Sequence, residues 1–183
     1  MSDLARQPSG ISAFDALPPH EAAVLLETCC GSTAWVEGMT LRRPFGTLHV
    51  LLEMADRLWW SLTPDDWREA FDHHPRIGEQ TAAAAQHERA RDWSADEQRG
   101  ASAADEDVRQ ALADGNREYE RRFGHIYLVC ATGKSAAEML ALLEQRMAND
   151  PVTELRVAAG EQAKITRLRL EKMFGPSSPR TDE

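Results

Sequence analysis

The sequence is poor in lysine and cysteine, and it has no long apolar run. Its 183 residues carry a formal net charge of −9, and its Lys and Arg residues form no cluster of the kind that gives nucleic-acid-binding proteins a basic face. No apolar stretch is long enough to cross a bilayer. The first ten residues lack the apolar core of a secretory signal, and the final residues form no sorting tripeptide. These absences predict a cytoplasmic protein.

The three cysteines predict free thiols. Cys29, Cys30 and Cys130 show no metal-binding spacing, and their odd number together with the missing signal indicates a reducing compartment. Cys29 and Cys30 lie in an apolar helical pattern, where cysteine usually acts as a small buried hydrophobe. The sequence contains no H-E-x-x-H, and its histidines are scattered, so no metal site is predicted.

Helical periodicity from Pro19 onward predicts an all-α, single-domain bundle. The pattern gives about eight to ten helices within residues 11–175, while the polar segments 1–10 and 176–183 are expected to be loose. A chain of this length can bury a substantial core. Helix starts are predicted at four sites with capping residues, namely Ser32, Thr63-Pro64, Ser135 and Asp150-Pro151.

One short segment departs from the helical pattern. Ile126–Cys130 reads I-Y-L-V-C, an apolar run rich in residues that favour extended backbone and too short for a good helix. The sequence offers it no clear strand partner, yet its backbone N–H and C=O groups must be satisfied. Side chains, water, another subunit or a ligand could provide the partners for an extended segment near 126–131.

The loop D-H-H-P-R-I-G, from Asp72 to Gly78, presents a titratable side chain. Pro75 disfavours helical backbone at the residue before it, so His74 is predicted to lie outside the preceding helix. A stiff loop of this kind can present a catalytic imidazole, which ordinarily titrates near neutral pH. A plain helix terminus has the same local appearance. His73 lacks the proline constraint and is interpreted as a capping or surface histidine.

Two further features of the sequence can each be interpreted either structurally or functionally. Ser94 and Glu97 have the spacing of a capping box, and the same helix N-terminus, with Gln98 beside it, would attract an anion. On the last helix, Arg169 falls at the edge of the apolar stripe beside Gln162, whereas Arg167 points toward solvent. An arginine in that position needs an anionic partner, either a ligand or an internal carboxylate.

Four pieces of the sequence, taken in order, resemble the 2-oxo-4-hydroxy-4-carboxy-5-ureidoimidazoline (OHCU) decarboxylase family of urate degradation. They are His74-Pro75, the S-x-x-E-Q motif at 94–98, the segment from Phe123-Gly124 to Ala131, and K-I-x-x-L-R-L at 164–170. The match extends from about Phe14 to Phe174. Each piece alone is weak, but the four in register are specific.

The resemblance implies an all-helical, homodimeric enzyme without metal or organic cofactor. It would convert its cyclic ureide carboxylate substrate to (S)-allantoin and CO2. The matched catalytic positions are His74 and its acidic companion Glu97. The matched substrate contacts are Pro75, Ser94, Gln98, the segment Tyr127, Leu128, Val129, Cys130 and Ala131, and Arg169.

Two positions depart from the family pattern. Many relatives have an acidic residue where Arg76 stands and a second aromatic where His125 stands. These differences concern the shape of the His74 loop and one wall of the pocket. A different class, a non-enzymatic helical interaction module, would also accommodate the residues, with His74 ending a helix, Glu97 capping one, and Arg169 in an internal ion pair.

Overall fold

The computed structural model describes residues 10–76 and 106–175 of the chain. All regular structure in these two ranges is helical, which confirms the predicted all-α class. None of these helices is both long and apolar enough to span a membrane. The eight helices are α1 Ile11–Asp15, α2 Pro19–Cys29, α3 Thr33–Leu41, α4 Leu48–Ser61, α5 Pro64–Asp72, α6 Glu106–Phe123, α7 Ala136–Arg146 and α8 Pro151–Phe174.

The predicted capping residues begin the helices as expected. The Ser32 hydroxyl accepts a hydrogen bond from the third backbone amide of α3, and Asp150 accepts two amides of α8. Thr63 and Ser135 each form a complete capping box with an acidic residue three positions later. Because the first amides of a helix lack partners within it, each cap stabilises its helix by about 1 kcal/mol.

The buried apolar side chains form two clusters. The first lies among α1–α5 and α8, and it includes the fully buried Trp35 and Phe71 together with Cys29, Cys30 and Cys130. These three cysteines form no disulfide and are buried, as predicted. The second cluster lies mainly between α6 and α7. The boundary between the two apolar clusters is where buried polar groups of this protein can lie.

The non-helical segment 126–131 separates the two clusters. Its side chains alternate between them, as expected for extended backbone, in which successive side chains point to opposite sides. Ile126, Leu128 and Cys130 belong to the first cluster, whereas Tyr127, Val129 and Ala131 belong to the second. The segment pairs with no strand in the described ranges, and side chains satisfy part of its backbone instead.

A buried ion pair supplies one of those side chains. Arg146 donates from Nη1 to the Leu128 carbonyl at 2.8 Å and from Nε to Glu154 Oε1 at 2.7 Å. The Tyr119 hydroxyl also donates to Glu154, and Arg146 Nη2 lies 3.1 Å from that hydroxyl oxygen. Glu154 is fully buried, so its charge is balanced only within the protein. The pair fixes the segment to α7 and α8.

Removing one member of this buried pair should destabilise the fold. We expect Arg146→Met to reduce the free energy of unfolding by about 3 kcal/mol or more, because it leaves the Glu154 charge buried without its partner. Chemical denaturation measures the change. Arg121→Met is the matched control, since Arg121 forms an exposed pair with Glu118 and should lose less than about 1 kcal/mol. Similar losses in both variants would contradict the structural role assigned to Arg146.

Candidate active site

The His74 loop follows α5 as the sequence predicts. Helix α5 ends at Asp72, His73 is its C-cap, and the His74 amide donates to the Phe71 carbonyl at 3.0 Å. His73 is exposed, with its Nδ1 2.9 Å from the Glu69 carbonyl, which confirms it as a capping and surface histidine. The side chain of His74 is instead half-buried.

A close contact holds the loop against the connection between α2 and α3. A Cβ atom added at Gly31 would lie 2.3 Å from Cγ of the His73 ring. No side chain can occupy that space without displacing the histidine. Gly31 thereby permits the α2–α3 connection to approach the residue next to His74.

Helix α8 presents a buried polar face to the same region. Gln162, Thr166 and Arg169 have the i, i+4, i+7 spacing that places residues on one side of a helix, and all three are buried. Thr166 Oγ1 is 3.5 Å from the Cys29 carbonyl, and Arg169 Nη1 is 3.5 Å from the Thr28 carbonyl. The polar face of α8 therefore interacts with the C-terminal end of α2.

The surroundings of His74 keep its imidazole uncharged at neutral pH. Burial, reinforced by the positive charge of Arg169 and to a smaller extent by His73, lowers the pKa of His74 from 6.5 to about 3, although hydrogen bonding to Gln162 opposes this change. From the sequence we expect His74 to titrate near neutral pH. That expectation is wrong for the folded protein, because burial lowers the pKa of His74. Folding should lose stability as the pH falls below about 6.5, because the unfolded chain binds this proton first.

Cys30 is a second neutral group beside Arg169. Burial raises the pKa of its thiol to about 11, even though Ser32, Thr166 and Arg169 act in the opposite direction. The Arg169 guanidinium is accordingly a permanent positive charge next to a neutral thiol and a neutral imidazole. This combination of groups can attract a small anion and can accept a proton from it.

The segment 127–131 is bound to α8 by a hydrogen bond to Glu161. The Cys130 amide donates to Glu161 Oε2 at 2.8 Å, and Glu161 is adjacent to Gln162 in the sequence. Val129 is buried, yet its N–H and C=O make no hydrogen bond to any residue that the structure describes. A buried amide and carbonyl without partners are costly. The segment therefore offers a backbone donor and acceptor that a ligand could satisfy.

Arg76, one of the two departures from the family pattern, attaches the His74 loop to α6. It donates to Glu120 through Nε at 2.7 Å and through Nη2 at 3.0 Å. A two-point arginine–carboxylate contact fixes orientation as well as distance. The pair joins residues 44 positions apart, and it constrains the loop two residues after His74.

His125, the other departure, is a buried member of the aromatic cluster. Its ring centroid lies 5.3 Å from that of Phe71 and 5.4 Å from that of Tyr119. Burial lowers the pKa of His125, so its ring packs as a neutral aromatic group. His125 thus contacts both α5, which leads to His74, and α6.

Several predicted site residues lie outside the described ranges. Ser94, Glu97 and Gln98 fall between residues 77 and 105, so their proposed roles remain predictions. Among the residues that the structure does describe, His74 and Arg169 belong to one polar group, and the segment 127–131 contacts the same helix, α8, through Glu161. The sequence placed Gln162 beside Arg169 but did not identify it as one of the groups that influence the pKa of His74. The i, i+4 spacing of Gln162 and Thr166 within an apolar stripe is the signal that could have revealed it.

A separate groove of about 320 Å³ lies between α4 and α8. Trp59 and Trp60 line it together with Lys164 and Arg167, and it meets the His74 group only through Thr166. Lys164 pairs with Glu161, and Arg167 Nε lies 3.0 Å from Glu171. Because these cations already have carboxylate partners, the groove is a weaker candidate for anion chemistry.

The fold and the site define a helical protein with a neutral imidazole and a permanent guanidinium charge at a site suited to a small anionic molecule. Residues 15–171 match the family model for OHCU decarboxylase. The chain therefore belongs to the OHCU decarboxylase family, as its motifs indicated.

Individual relatives agree with this assignment. The chain is 34% identical over 148 residues to the uric acid degradation bifunctional protein TTL of Arabidopsis thaliana, covering 81% of this chain and 46% of the relative. It is 36% identical over 81 residues to the 2-oxo-4-hydroxy-4-carboxy-5-ureidoimidazoline decarboxylase of Mus musculus, covering 44% and 46%. Each match thus spans less than half the length of the relative.

Solved structures share the fold. A crystal structure of OHCU decarboxylase in the presence of (S)-allantoin superposes with a TM-score of 0.72 at 32% identity, covering 84% of this chain and 99% of that one. A crystal structure of (S)-allantoin synthase gives a TM-score of 0.67 at 17% identity, covering 91% and 54%. The second likeness concerns the fold alone.

Reversing the charges of the Arg76–Glu120 ion pair tests whether this pair restrains the His74 loop. Arg76→Glu is expected to reduce the free energy of unfolding by about 1 kcal/mol and to shift the NMR signal of His74, because two carboxylates would then repel. Combining it with Glu120→Arg should restore both quantities. Arg68→Glu, which disrupts an exposed pair on α5, should leave the His74 signal in place. Failure of the double variant to recover the signal would contradict the proposed restraint on the loop.

Proposed function

We propose that the protein decarboxylates 2-oxo-4-hydroxy-4-carboxy-5-ureidoimidazoline to (S)-allantoin and CO2, the last step in converting urate to allantoin. The observation that supports this most is the uncharged His74 imidazole beside the buried Arg169, on a chain of the OHCU decarboxylase family. The mouse relative is named for this decarboxylation. The similar crystal structure was determined in the presence of (S)-allantoin.

The substrate contains its own electron acceptor. One ring carbon bears both a hydroxyl and a carboxylate and adjoins a C=N bond. When the carboxylate leaves as CO2, the electron pair of the broken C–C bond flows into the C=N group. The hydroxyl then loses its proton to become a carbonyl, while the former C=N carbon and nitrogen each gain one. The hydroxyl proton and one proton from solvent complete the balance, so we expect no metal or organic cofactor.

His74 is the proposed acid–base residue. Because its imidazole is neutral at pH 7, it can accept the hydroxyl proton first and then deliver a proton to the ring carbon. Delivery from one fixed position would place the proton on a single face and give one enantiomer. Glu97 is proposed, from the family pattern alone, to orient His74 and balance its charge after the proton is accepted.

The other groups are proposed to hold the substrate. The Arg169 guanidinium can form paired hydrogen bonds to a carboxylate or a ureido carbonyl. The Val129 amide and carbonyl match the alternating N–H and C=O groups of a cyclic ureide, and their lack of partners in the described structure supports this use of the segment. Pro75, Ser94 and Gln98 are assigned as contacts from the family pattern.

We propose a homodimer in the cytoplasm, with residues 11–175 as the functional domain. These assignments derive from the family resemblance and from the composition of the chain. They do not affect the chemistry proposed for His74.

Turnover of freshly prepared substrate tests the proposal. The protein should accelerate its decay and yield a single enantiomer of allantoin, detected by circular dichroism. His74→Asn should reduce the rate about 100 to 10,000-fold with little change in melting temperature, because it removes the proton-transfer group. His73→Asn is the matched control and should be much milder. Near-normal turnover by folded His74→Asn would refute the assigned role, and absence of turnover in the unaltered protein would refute the function.

Arg169→Lys should weaken substrate binding while retaining the charge. Loss of one charge-assisted hydrogen bond, worth about 1.5–3 kcal/mol, should raise KM on the order of tenfold or more. Steady-state kinetics measures this change. Arg167→Lys lies two residues away but is exposed and paired with Glu171, so it should leave KM unchanged. A lowered melting temperature with unchanged KM for Arg169→Lys would instead indicate an internal ion pair.

A further inference from the structure

The backbone amide of Cys130 is held by a charged side chain of α8. It donates to Glu161 Oε2 at 2.8 Å, and the Glu161 side chain is only 13% exposed. The other carboxylate oxygen of Glu161 accepts a hydrogen bond from Lys164, which is itself exposed. Hydrogen bonds to an ionised carboxylate are stronger than those between neutral groups. The Cys130 amide therefore has one fixed direction.

The direction of the Cys130 amide determines the direction of the Val129 carbonyl. These two groups belong to the same peptide unit, which is planar and trans, because Arg43–Pro44 is the one cis bond in the described ranges. The C=O and N–H groups of a trans peptide point in opposite directions. The Val129 carbonyl accordingly points away from Glu161.

The same reasoning applies to the Val129 amide. It shares a peptide unit with the Leu128 carbonyl, to which Arg146 Nη1 donates at 2.8 Å, so the Val129 N–H points away from Arg146. In extended backbone the N–H and C=O of one residue point to the same edge, and those of its neighbours point to the opposite edge. Arg146 and Glu161 thus occupy one edge of the segment, as a neighbouring strand would, and both Val129 groups point to the other edge.

Val129 is the residue of 127–131 for which neither backbone group has a partner among the described residues. Each of the other four has at least one group bound, and on the same edge as the Val129 groups the Tyr127 amide donates to Asn116 Oδ1 at 2.9 Å. Val129 is also buried. Leaving its two groups unpaired is costly, so we expect them to bind a partner that carries an acceptor and a donor side by side.

We propose that Glu161 is a positioning residue for substrate binding, which holds the Cys130 amide so that the Val129 carbonyl is directed toward an N–H group of the cyclic ureide. Glu161 makes no contact with the substrate in this arrangement and acts through the shared peptide unit. The inference rests on the proposed function, which supplies the ureide. Arg146 directs the Val129 amide in the same way, but its loss also disrupts the buried pair with Glu154, so Glu161 is the residue to test.

Substitutions at Glu161 separate the acceptor from the charge. Glu161→Gln keeps the length and an acceptor oxygen, so KM should be nearly unchanged. Glu161→Asp keeps the charge but withdraws the acceptor by one methylene, and Glu161→Met keeps the length but removes the acceptor. Both should raise KM about tenfold with kcat nearly unchanged, because a binding group loses its orientation. If Glu161 served only as the ion-pair partner of Lys164, the ranking would be reversed, with Asp mild and Gln severe.

Two measurements need no turnover. In the free protein, hydrogen exchange of the Cys130 amide should be about tenfold faster in Glu161→Asp and Glu161→Met, and unchanged in Glu161→Gln. Titration with (S)-allantoin, the proposed product, should shift the NMR signal of the Val129 amide, with affinity about tenfold weaker in the Asp and Met variants. Lys164→Met is the matched control, since it removes the ion pair and leaves the acceptor, and it should match the unaltered protein throughout.

The outcomes distinguish this role from the proposed function. A protein without turnover that binds (S)-allantoin, and binds it more weakly as Glu161→Asp, would refute the decarboxylation and leave the positioning role intact. Turnover with an unchanged KM in Glu161→Asp would overturn the positioning role and leave the function intact, and this smaller change decides the test if Glu161→Met does not fold. A Val129 amide signal that (S)-allantoin does not move would overturn the positioning role as well.

Discussion

The candidate site depends on the contact between the polar face of α8 and the C-terminal end of α2. The last carbonyls of a helix lack partners within it and carry partial negative charge. Thr166 and Arg169 are placed to donate to two of these carbonyls, at Cys29 and Thr28. The same contact satisfies the end of α2, buries a guanidinium beside backbone oxygens, and fixes the side chains against which His74 packs.

The extended segment 126–131 is proposed to form the other half of the candidate site, and side chains from other elements bind part of its backbone. Because it runs between two apolar clusters, its backbone cannot reach solvent freely. Arg146 and Glu161 each bind one of its backbone groups, and Glu154 balances Arg146. Val129 is left with an unpaired amide and carbonyl among the described residues. Side chains thus satisfy part of the backbone of the segment, and the Val129 groups are among those for which the described residues provide no partner.

Local features of this fold could be predicted from the sequence. Capping residues such as Ser32 and Ser135 interact with amides only three positions away, so short-range chemistry determines them. The ends of α5 and α8 and the burial of Arg169 next to exposed Arg167 likewise follow from proline placement and helical spacing. The break in helix at 126–131 was predictable because its composition favours extended backbone.

Interactions between distant residues could not be predicted in this way. The neutral state of His74 depends on burial and on Arg169, which lies 95 positions later in the sequence. The partners Arg146 for Leu128 and Glu120 for Arg76 are likewise selected by tertiary packing. Periodicity shows which side of a helix is buried, but it does not show which polar groups meet there.

The central claim is that the folded protein holds His74 uncharged at physiological pH. Following the His74 ring signal by NMR between pH 8 and pH 4 measures this directly in the free protein. The account predicts that the signal keeps the shift of a neutral imidazole down to pH 5 and below, because burial and Arg169 lower its pKa. A protonation midpoint near 6.5, the ordinary value for histidine, would contradict it.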